Sequence, residues 1–123
     1  ADIIFVDFSS FATAEKQALG FLLSGKVSAL IGSGTRVQTA DECILENKTA
    51  YITDAGRTGS LNSVGGYAIE DKIREYRTCL PDFGKDAWAR PVLQGLFIKT
   101  DDEGNAIEIK RIFEESELCK DTE

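Results

Sequence analysis

The sequence predicts an α/β domain, and three observations support this fold class. A strand-helix-strand pattern fills the first 32 residues, further strand and helix patterns follow it, and a β-hairpin pattern lies near the end. The 123 residues are 42% apolar and 28% charged, which is usual for one compact globular domain. We therefore expect a single layered domain over residues 1–123, with a frayed polar tail at 117–123.

The first 32 residues predict a βαβ unit. Residues 2–8 are rich in β-branched and aromatic side chains and predict a buried strand, and residues 26–32 predict a second one. Ser10 or Thr13 can cap the helix between them, and Gly25 ends it. Crossovers of this kind join parallel strands. The expected apolar face of the helix consists of Ala14, Ala18, Leu19, Leu22 and Leu23.

The rest of the chain predicts further strands, one more helix and a C-terminal β-hairpin. In chain order these are a weak strand at 42–47, a strand at 49–56, a helix at 68–79, and hairpin strands at 90–100 and 106–115. Asn47 and Lys48 suit a turn, Pro81 ends the helix, and the sequence Asp-Asp-Glu-Gly-Asn supplies the hairpin turn.

The two strands of the βαβ unit are apolar enough to be buried on both faces. The two expected helices cannot cover every face of such a sheet, which would leave an apolar face open. We expect a protein partner to cover that open sheet face, in a larger assembly or as a second copy in a homo-oligomer. Trp88 is either an anchor for such a partner or a half-buried loop residue.

Composition excludes several classes of function. The net charge of −7 opposes binding to a nucleic acid duplex, and no apolar run approaches the roughly 20 residues that membrane insertion needs. No signal peptide is visible, and three widely spaced cysteines without a Cys-x-x-Cys pair predict reduced thiols in the cytoplasm. Histidine is absent, which removes the usual general base and the commonest transition-metal ligand.

Several segments carry a family resemblance. They are Val-Gln-Thr-Ala-Asp-Glu at 37–42, Ala-Tyr-Ile-Thr-Asp-Ala-Gly-Arg-Thr-Gly at 50–59, the stretch 6–45 around the first of them, and the hairpin 96–112. In these segments the sequence resembles the C-terminal half of the YmdB-like, calcineurin-type bacterial metallophosphoesterases, which are associated with 2′,3′-cyclic nucleotide hydrolysis. The resemblance implies half of a metallophosphoesterase-like layered sandwich.

The resemblance also implies that the metal-ligand histidines of this half are replaced. Where the family usually has Gly-Thr-His-Thr-His-Val-Gln, Gly34 and Arg36 stand at the histidine positions. Where it usually has Asp-Phe-His-Ala-Glu-Ala-Thr, Ser9 and Phe11 stand at the histidine and glutamate positions. Glycine offers no ligand, serine is a poor one, and arginine keeps its positive charge. We therefore expect degenerate metal positions at Ser9, Gly34 and Arg36, with no metal or other cofactor.

Three functions remain open. The first is a catalytically degenerate metallophosphoesterase-like module, a pseudoenzyme that acts as a non-catalytic interaction or assembly subunit. The second is one half of a split metal-dependent cyclic-nucleotide phosphodiesterase that another chain completes. The third is a metal-free anion- or nucleotide-binding module, in which two guanidinium groups and glycine-rich backbone hold an anion. Its candidate residues are Gly34, Thr35, Arg36 and Arg57, the last of which stands where the family often has methionine.

Each candidate side chain also has a structural interpretation. The arginines can pair with Asp41 or Asp54 or point to water, and Gly-Ser-Gly at 32–34 lacks the Lys and Ser/Thr of a P-loop. Asp7, Asp41 and Asp54 suit loop capping rather than acid-base catalysis. Phe11 either fills the former cleft or meets a partner, within an aromatic patch formed by Phe8, Phe11 and Phe21.

Overall fold

The computed structural model describes residues 2–116 and confirms the α/β class. Its elements are β1 (Phe5–Ser9), α1 (Thr13–Leu23), β2 (Ala29–Ser33), β3 (Cys43–Ile44), β4 (Ala50–Ile52), β5 (Gly59–Ser60), α2 (Ile69–Thr78), β6 (Pro91–Thr100) and β7 (Ala106–Glu115). The βαβ unit, the second helix and the C-terminal hairpin lie where the sequence predicted them. The expected frayed tail at 117–123 lies outside the described residues.

The chain divides into two compact units. The first comprises Ala1–Arg57 with Gln94–Ile112, and the second comprises Thr58–Leu93 with Phe113–Glu123. The expectation of a single domain stays a prediction. Within residues 2–116, neither helix has the length and apolar character that crossing a bilayer requires.

A four-stranded sheet in the order β1-β2-β4-β3 forms the centre of the first unit. The pairs β1–β2 and β2–β4 are parallel, and β3–β4 is antiparallel. Strands β2 and β4 are buried along almost their whole length because other elements pack on both of their faces. Their side chains contribute Ala29, Ile31, Ala50 and Ile52 to the core, which Ala106 completes and against which Ala55, Leu96, Ile98 and Ile109 pack.

The expectation that the first strand is buried on both faces is wrong. Strand β1 lies at the edge of the sheet, and its burial alternates between exposed and half-buried residues. The preceding Ile3 is 60% exposed, and Phe5 in the strand is 59% exposed. Among residues 2–116, β1 has a neighbouring strand on its β2 side alone, whereas β2 lies between β1 and β4.

The predicted apolar face of α1 is wrong at three of its five residues, whereas Leu19 and Leu23 are half-buried. Ala14, Ala18 and Leu22 are exposed, whereas the buried residues of the helix are Lys16 and Gly20. A Cβ at Gly20 would lie 2.8 Å from the Tyr51 ring, so this glycine lets the helix approach the sheet closely. The helix begins without a side-chain cap on its first turn; instead the Ser10 hydroxyl accepts a hydrogen bond from the Ala12 N–H.

Strands β6 and β7 form the predicted hairpin. They are neighbours in a three-stranded sheet of order β5-β6-β7, and the short connection between them makes the pair antiparallel. The Asp101 carboxylate accepts hydrogen bonds from the N–H groups of Glu103 and Asn105, which fixes the turn. In the second unit, α2 ends at Thr78, and its C-cap residue Cys79 has the left-handed conformation. The apolar residues Ile69, Ile73, Tyr76 and Leu80 on and just after this helix are exposed.

Candidate functional site

The fold brings together two of the positions that the resemblance predicts to be degenerate metal positions, Ser9 and Gly34. Parallel strands β1 and β2 end side by side, with Ser9 opposite Ser33 in the register. The Ser10 N–H donates to the Ser33 carbonyl at 3.1 Å, which closes the loop after β2 onto the loop after β1. A Cβ at Gly34 would lie 3.1 Å from the Ser9 Oγ. The sequence resemblance therefore identified positions that are neighbours in space.

The loop leaves little space for a side chain at position 34. Gly34 has a φ of +108°, in the left-handed region that favours glycine. A Cβ atom added at Gly34 would also lie 3.0 Å from the Ser10 carbonyl oxygen, which is closer than most contacts of Cβ atoms in proteins. A metal-ligating side chain at this position would require the backbone of the loop to move.

A fully buried ion pair holds this loop in place. The Lys16 Nζ donates to Asp54 Oδ2 at 2.8 Å, and both side chains are 0% exposed. The same oxygen accepts the N–H of Thr35 at 2.9 Å and its hydroxyl at 2.7 Å. Asp54 Oδ1 accepts the Gly56 N–H at 2.9 Å. One carboxylate thus connects helix α1 with the loops that follow β2 and β4.

These hydrogen bonds set the charge state of Asp54. Burial alone raises the pKa of this carboxyl group, because a low-dielectric environment disfavours the anion. The hydrogen bonds from Lys16, Thr35 and Gly56 outweigh burial and lower the pKa of Asp54 below its ordinary value. Asp54 is therefore a charged structural group at neutral pH, as the loop-capping interpretation predicted.

Asp41 lies in a second hydrogen-bonded cluster of the same unit. Its carboxylate accepts the hydroxyls of Thr39 and Thr53, and Thr53 in turn hydrogen-bonds the Tyr51 hydroxyl. Burial raises the pKa of Asp41, but the hydrogen bonds from Thr39 and Thr53 lower the pKa by more than burial raises it. The net shift of the Asp41 pKa is therefore downward. This carboxylate also has a loop-capping role.

The two candidate anion-binding arginines are connected through the backbone. The Arg57 Nη1 donates to the Arg36 carbonyl oxygen at 3.0 Å, and the Arg57 N–H donates to Gln94 Oε1 at 2.9 Å. Arg36 is exposed and has a φ of +63°, which is uncommon for a residue other than glycine. The alternative interpretation, in which the arginines pair with Asp41 or Asp54, stays a prediction.

Sequence reasoning missed two side chains that build the site. Lys16 is one of them, and Gln38 is the other. The Gln38 Nε2 donates to the carbonyl oxygens of Gly95 and Ile112 at 3.0 and 3.1 Å, which ties the loop after β2 to the hairpin. Gln38 belongs to the Val-Gln-Thr-Ala-Asp-Glu motif, so the motif marked it without indicating its role.

The residues present do not fit a metal centre of the kind that the family resemblance implies. Ser9, Gly34 and Arg36 supply a hydroxyl, no side chain and a permanent cation. Across residues 2–116, the structure has no group of three or more His, Cys, Asp and Glu side chains that could hold a metal ion. Phe11 is 86% exposed and so does not fill the former cleft, and Phe21 and Trp88 are exposed as well.

The family model of the YmdB-like proteins matches residues 1–112 of this chain. The chain belongs to the YmdB-like family. Its sequence is 44% identical over 110 residues to a 2′,3′-cyclic-nucleotide 2′-phosphodiesterase of Bacillus subtilis. The aligned residues cover 89% of this chain and 42% of that relative. A putative phosphatase/phosphodiesterase of Mycoplasma pneumoniae is 33% identical over 101 residues, covering 81% of this chain and 36% of the relative.

Two solved structures share the fold of this YmdB-like chain. A hypothetical protein from Thermus thermophilus superimposes with a TM-score of 0.89 at 30% identity, over 94% of this chain and 45% of the other. A novel phosphatase from Mycoplasma pneumoniae superimposes with a TM-score of 0.88 at 30% identity, over 93% and 41%. The chain spans less than half the length of each of these relatives, which fits the predicted C-terminal half.

Proposed function

We propose that this YmdB-like chain is a catalytically degenerate metallophosphoesterase-like module that acts as a non-catalytic interaction subunit. The observation that carries the proposal is that Ser9 and Gly34, two of the three positions at which the resemblance implies lost ligands, lie side by side and offer one hydroxyl between them. A protein partner covers its open sheet face. We further propose that the chain works in the cytoplasm, where the exposed Cys43 and Cys79 stay reduced.

The physical argument concerns metal chemistry. A two-metal hydrolase uses its ions to generate hydroxide and to neutralise the phosphoryl oxygens in the transition state. A serine hydroxyl and a glycine cannot hold a divalent cation at the required strength, and a guanidinium at position 36 repels it. Lys16 and Thr35 donate hydrogen bonds to Asp54, so this chain's own side chains hold the loop in its conformation.

Metal titration tests this proposal. We expect millimolar Mn²⁺ to leave the melting temperature of the purified chain within about 1 °C, because no ligand set favours the folded state. The Bacillus relative, titrated in parallel, is the comparison protein. Tight, stoichiometric Mn²⁺ binding by this chain, lost on substitution of Ser9 or its neighbours, would overturn the proposal.

An activity assay distinguishes this proposal from the alternative, in which the chain is one half of a split phosphodiesterase. The chain is mixed with the part of the Bacillus relative that lies outside the matched segment, and hydrolysis of a 2′,3′-cyclic nucleotide is measured. We expect no hydrolysis above that of either component alone. Hydrolysis that disappears with Arg36→Ala, in a variant that circular dichroism shows to be folded, would favour the split enzyme.

A metal-free anion site is the second candidate function. The hydrogen bond from Arg57 to the Arg36 carbonyl favours it, because this bond brings the two arginine-bearing loops together. A site of this kind predicts that a nucleotide raises the melting temperature and that Arg36→Ala abolishes the shift. Arg77→Ala removes an exposed positive charge elsewhere and is the matched control. An equal shift in both variants would exclude the site.

A further inference from the structure

Helix α2 of the second unit presents an apolar stripe to solvent. Ile69, Ile73 and Tyr76 follow one another at intervals of four and three residues, which places them on one face of the helix. They are between 45% and 80% exposed, and α2, which the structure describes completely, has no buried residue. Leu80, two residues after the helix, is exposed as well. The stripe that usually attaches an amphipathic helix to a core is therefore largely open.

A groove runs along one edge of this stripe. It has a volume of about 350 Å³ and is lined by Glu70, Ile73, Arg74, Arg77 and Thr78. The first four of these stand at relative positions i, i+3, i+4 and i+7. Four residues at this spacing form the hole that receives a side chain of a facing helix in knobs-into-holes packing. The groove therefore has the shape that a second helix requires.

The charged residues beside the stripe are arranged for an antiparallel copy of the same helix. Glu70 and Arg77 are seven residues apart, so they lie on one flank of the stripe near opposite ends of the helix. Both are exposed, and among residues 2–116 neither takes part in an ion pair. A twofold axis at the middle of the helix places Glu70 of each copy opposite Arg77 of the other, whereas a parallel pair brings like charges together.

We propose that the apolar stripe of α2 binds the α2 helix of a second copy of this chain, in an antiparallel pair with twofold symmetry. In this pair, Tyr76 of each copy packs between Ile69 and Ile73 of the other. The Glu70 and Arg77 side chains form two ion pairs between the copies. The inference goes beyond the proposed function, since it concerns a different surface and involves none of the former metal positions.

The size of the stripe sets the expected affinity. Helix α2 has 10 residues, which corresponds to a length of about 15 Å. Two helices of this length bury less than the roughly 1,200 Å² at which stable specific interfaces begin. We therefore expect a reversible dimer with a Kd of about 10–500 μM. Sedimentation equilibrium of the full chain, from about 5 μM to about 1 mM, measures this constant.

Two matched substitutions locate the contact. Tyr76→Glu places a charge in the apolar stripe and should weaken the dimer at least about tenfold. Tyr76 is largely exposed, so the variant keeps the fold of the monomer, which circular dichroism checks. Phe21→Glu is the control, because Phe21 is an exposed aromatic residue on α1 in the first unit. We expect it to change the Kd less than about twofold.

Charge reversal tests the antiparallel orientation. Glu70→Arg alone and Arg77→Glu alone each place like charges opposite one another in the homodimer, and each should weaken it about fivefold or more. The double variant restores opposite charges and should return to within about threefold of the parent Kd. An equal mixture of the two single variants should form a heterodimer, because both of its ion pairs join opposite charges.

The outcomes separate the α2 pair from other modes of association. Weakening by Tyr76→Glu, with recovery in the double charge variant, supports the inference. It is overturned if the chain stays monomeric at about 1 mM, if Tyr76→Glu dimerises like the Phe21→Glu control, or if the double charge variant is as weak as the single ones. A dimer that Phe21→Glu weakens instead forms through another surface and also overturns it.

Discussion

Lys16 and Asp54 are the side chains on which the local structure of the site depends most. Both are fully buried, and a buried charge without a partner costs several kcal/mol. Asp54 offsets its own desolvation by accepting four hydrogen bonds, one from Lys16, two from Thr35 and one from Gly56. The pair is therefore a device for positioning the two loops rather than a source of large net stability.

Removing one partner of this pair should be costly. We expect Asp54→Asn to lower the free energy of unfolding by about 3–5 kcal/mol, because Lys16 is left as an uncompensated buried charge. Urea denaturation followed by circular dichroism measures the change.

Two further variants control the measurement. Asp102→Asn alters an exposed carboxylate and should stay within about 0.5 kcal/mol of the parent. Lys16→Met combined with Asp54→Asn removes both charges but keeps a side-chain acceptor for the Thr35 and Gly56 donors, and it should recover part of the loss. A small effect of Asp54→Asn alone would contradict the positioning role.

The sequence could predict part of the site at this scale. The family resemblance implied Ser9, Gly34 and Arg36 as former ligand positions, which stays a prediction, and the structure places the first two next to each other. The buried Lys16 could not be predicted, since a lysine between Glu15 and Gln17 on a helix has the pattern of a solvated residue. Its burial depends on Asp54, which is 38 positions away in sequence.

At the scale of elements, the two wrong predictions have physical reasons. The apolar pattern of β1 predicts burial on both faces, but among the described residues β1 is an edge strand, and its Phe5 side chain is 59% exposed. The pattern of α1 predicts burial of its larger aliphatic residues, but Gly20 brings the helix backbone against Tyr51 and buries a different face. Hydrophobic periodicity locates elements without specifying the contacts available to them.

Close packing around Gly32 in β2, against Thr53 just after β4 and Lys16 of α1, gives a test at this scale. A Cβ at Gly32 would lie 1.8 Å from the Thr53 carbonyl oxygen and 2.9 Å from Lys16 Cδ. We expect Gly32→Ala to lower the free energy of unfolding by about 1–3 kcal/mol or more, because backbone must move to admit the methyl group.

Gly95 is the matched control for this substitution, because it is a strand glycine whose Cβ would meet nothing within 4 Å. Gly95→Ala should be neutral or stabilise the chain by up to about 1 kcal/mol. Chemical denaturation of the two variants side by side measures the difference. Equal stability of the two would show that β2 and β4 are not held as closely as the geometry indicates.

At the scale of the whole molecule, the acidic composition governs the response to pH. The chain has a net charge of −7. Among the described residues, seven carboxyl groups have a pKa below the ordinary value, held down by hydrogen bonds to the charged form: Asp41, Glu42, Asp54, Asp71, Asp82, Asp101 and Glu108. Each of them favours the folded state when it is ionised.

These shifts predict acid sensitivity with a definite sign. A carboxyl group whose pKa is lower in the folded state stabilises that state above its ordinary pKa, and the stabilisation is lost as the pH falls through the folded value. We therefore expect the free energy of unfolding to be nearly constant between about pH 6 and 8 and to decrease from about pH 5 downward. Denaturant titrations at a series of pH values measure this profile.

Asp54→Asn should reduce the slope of the free energy of unfolding against pH on the acid side, since one of the contributing groups no longer titrates. An unchanged slope would show that Asp54 is not one of the carboxyl groups that cause the acid sensitivity.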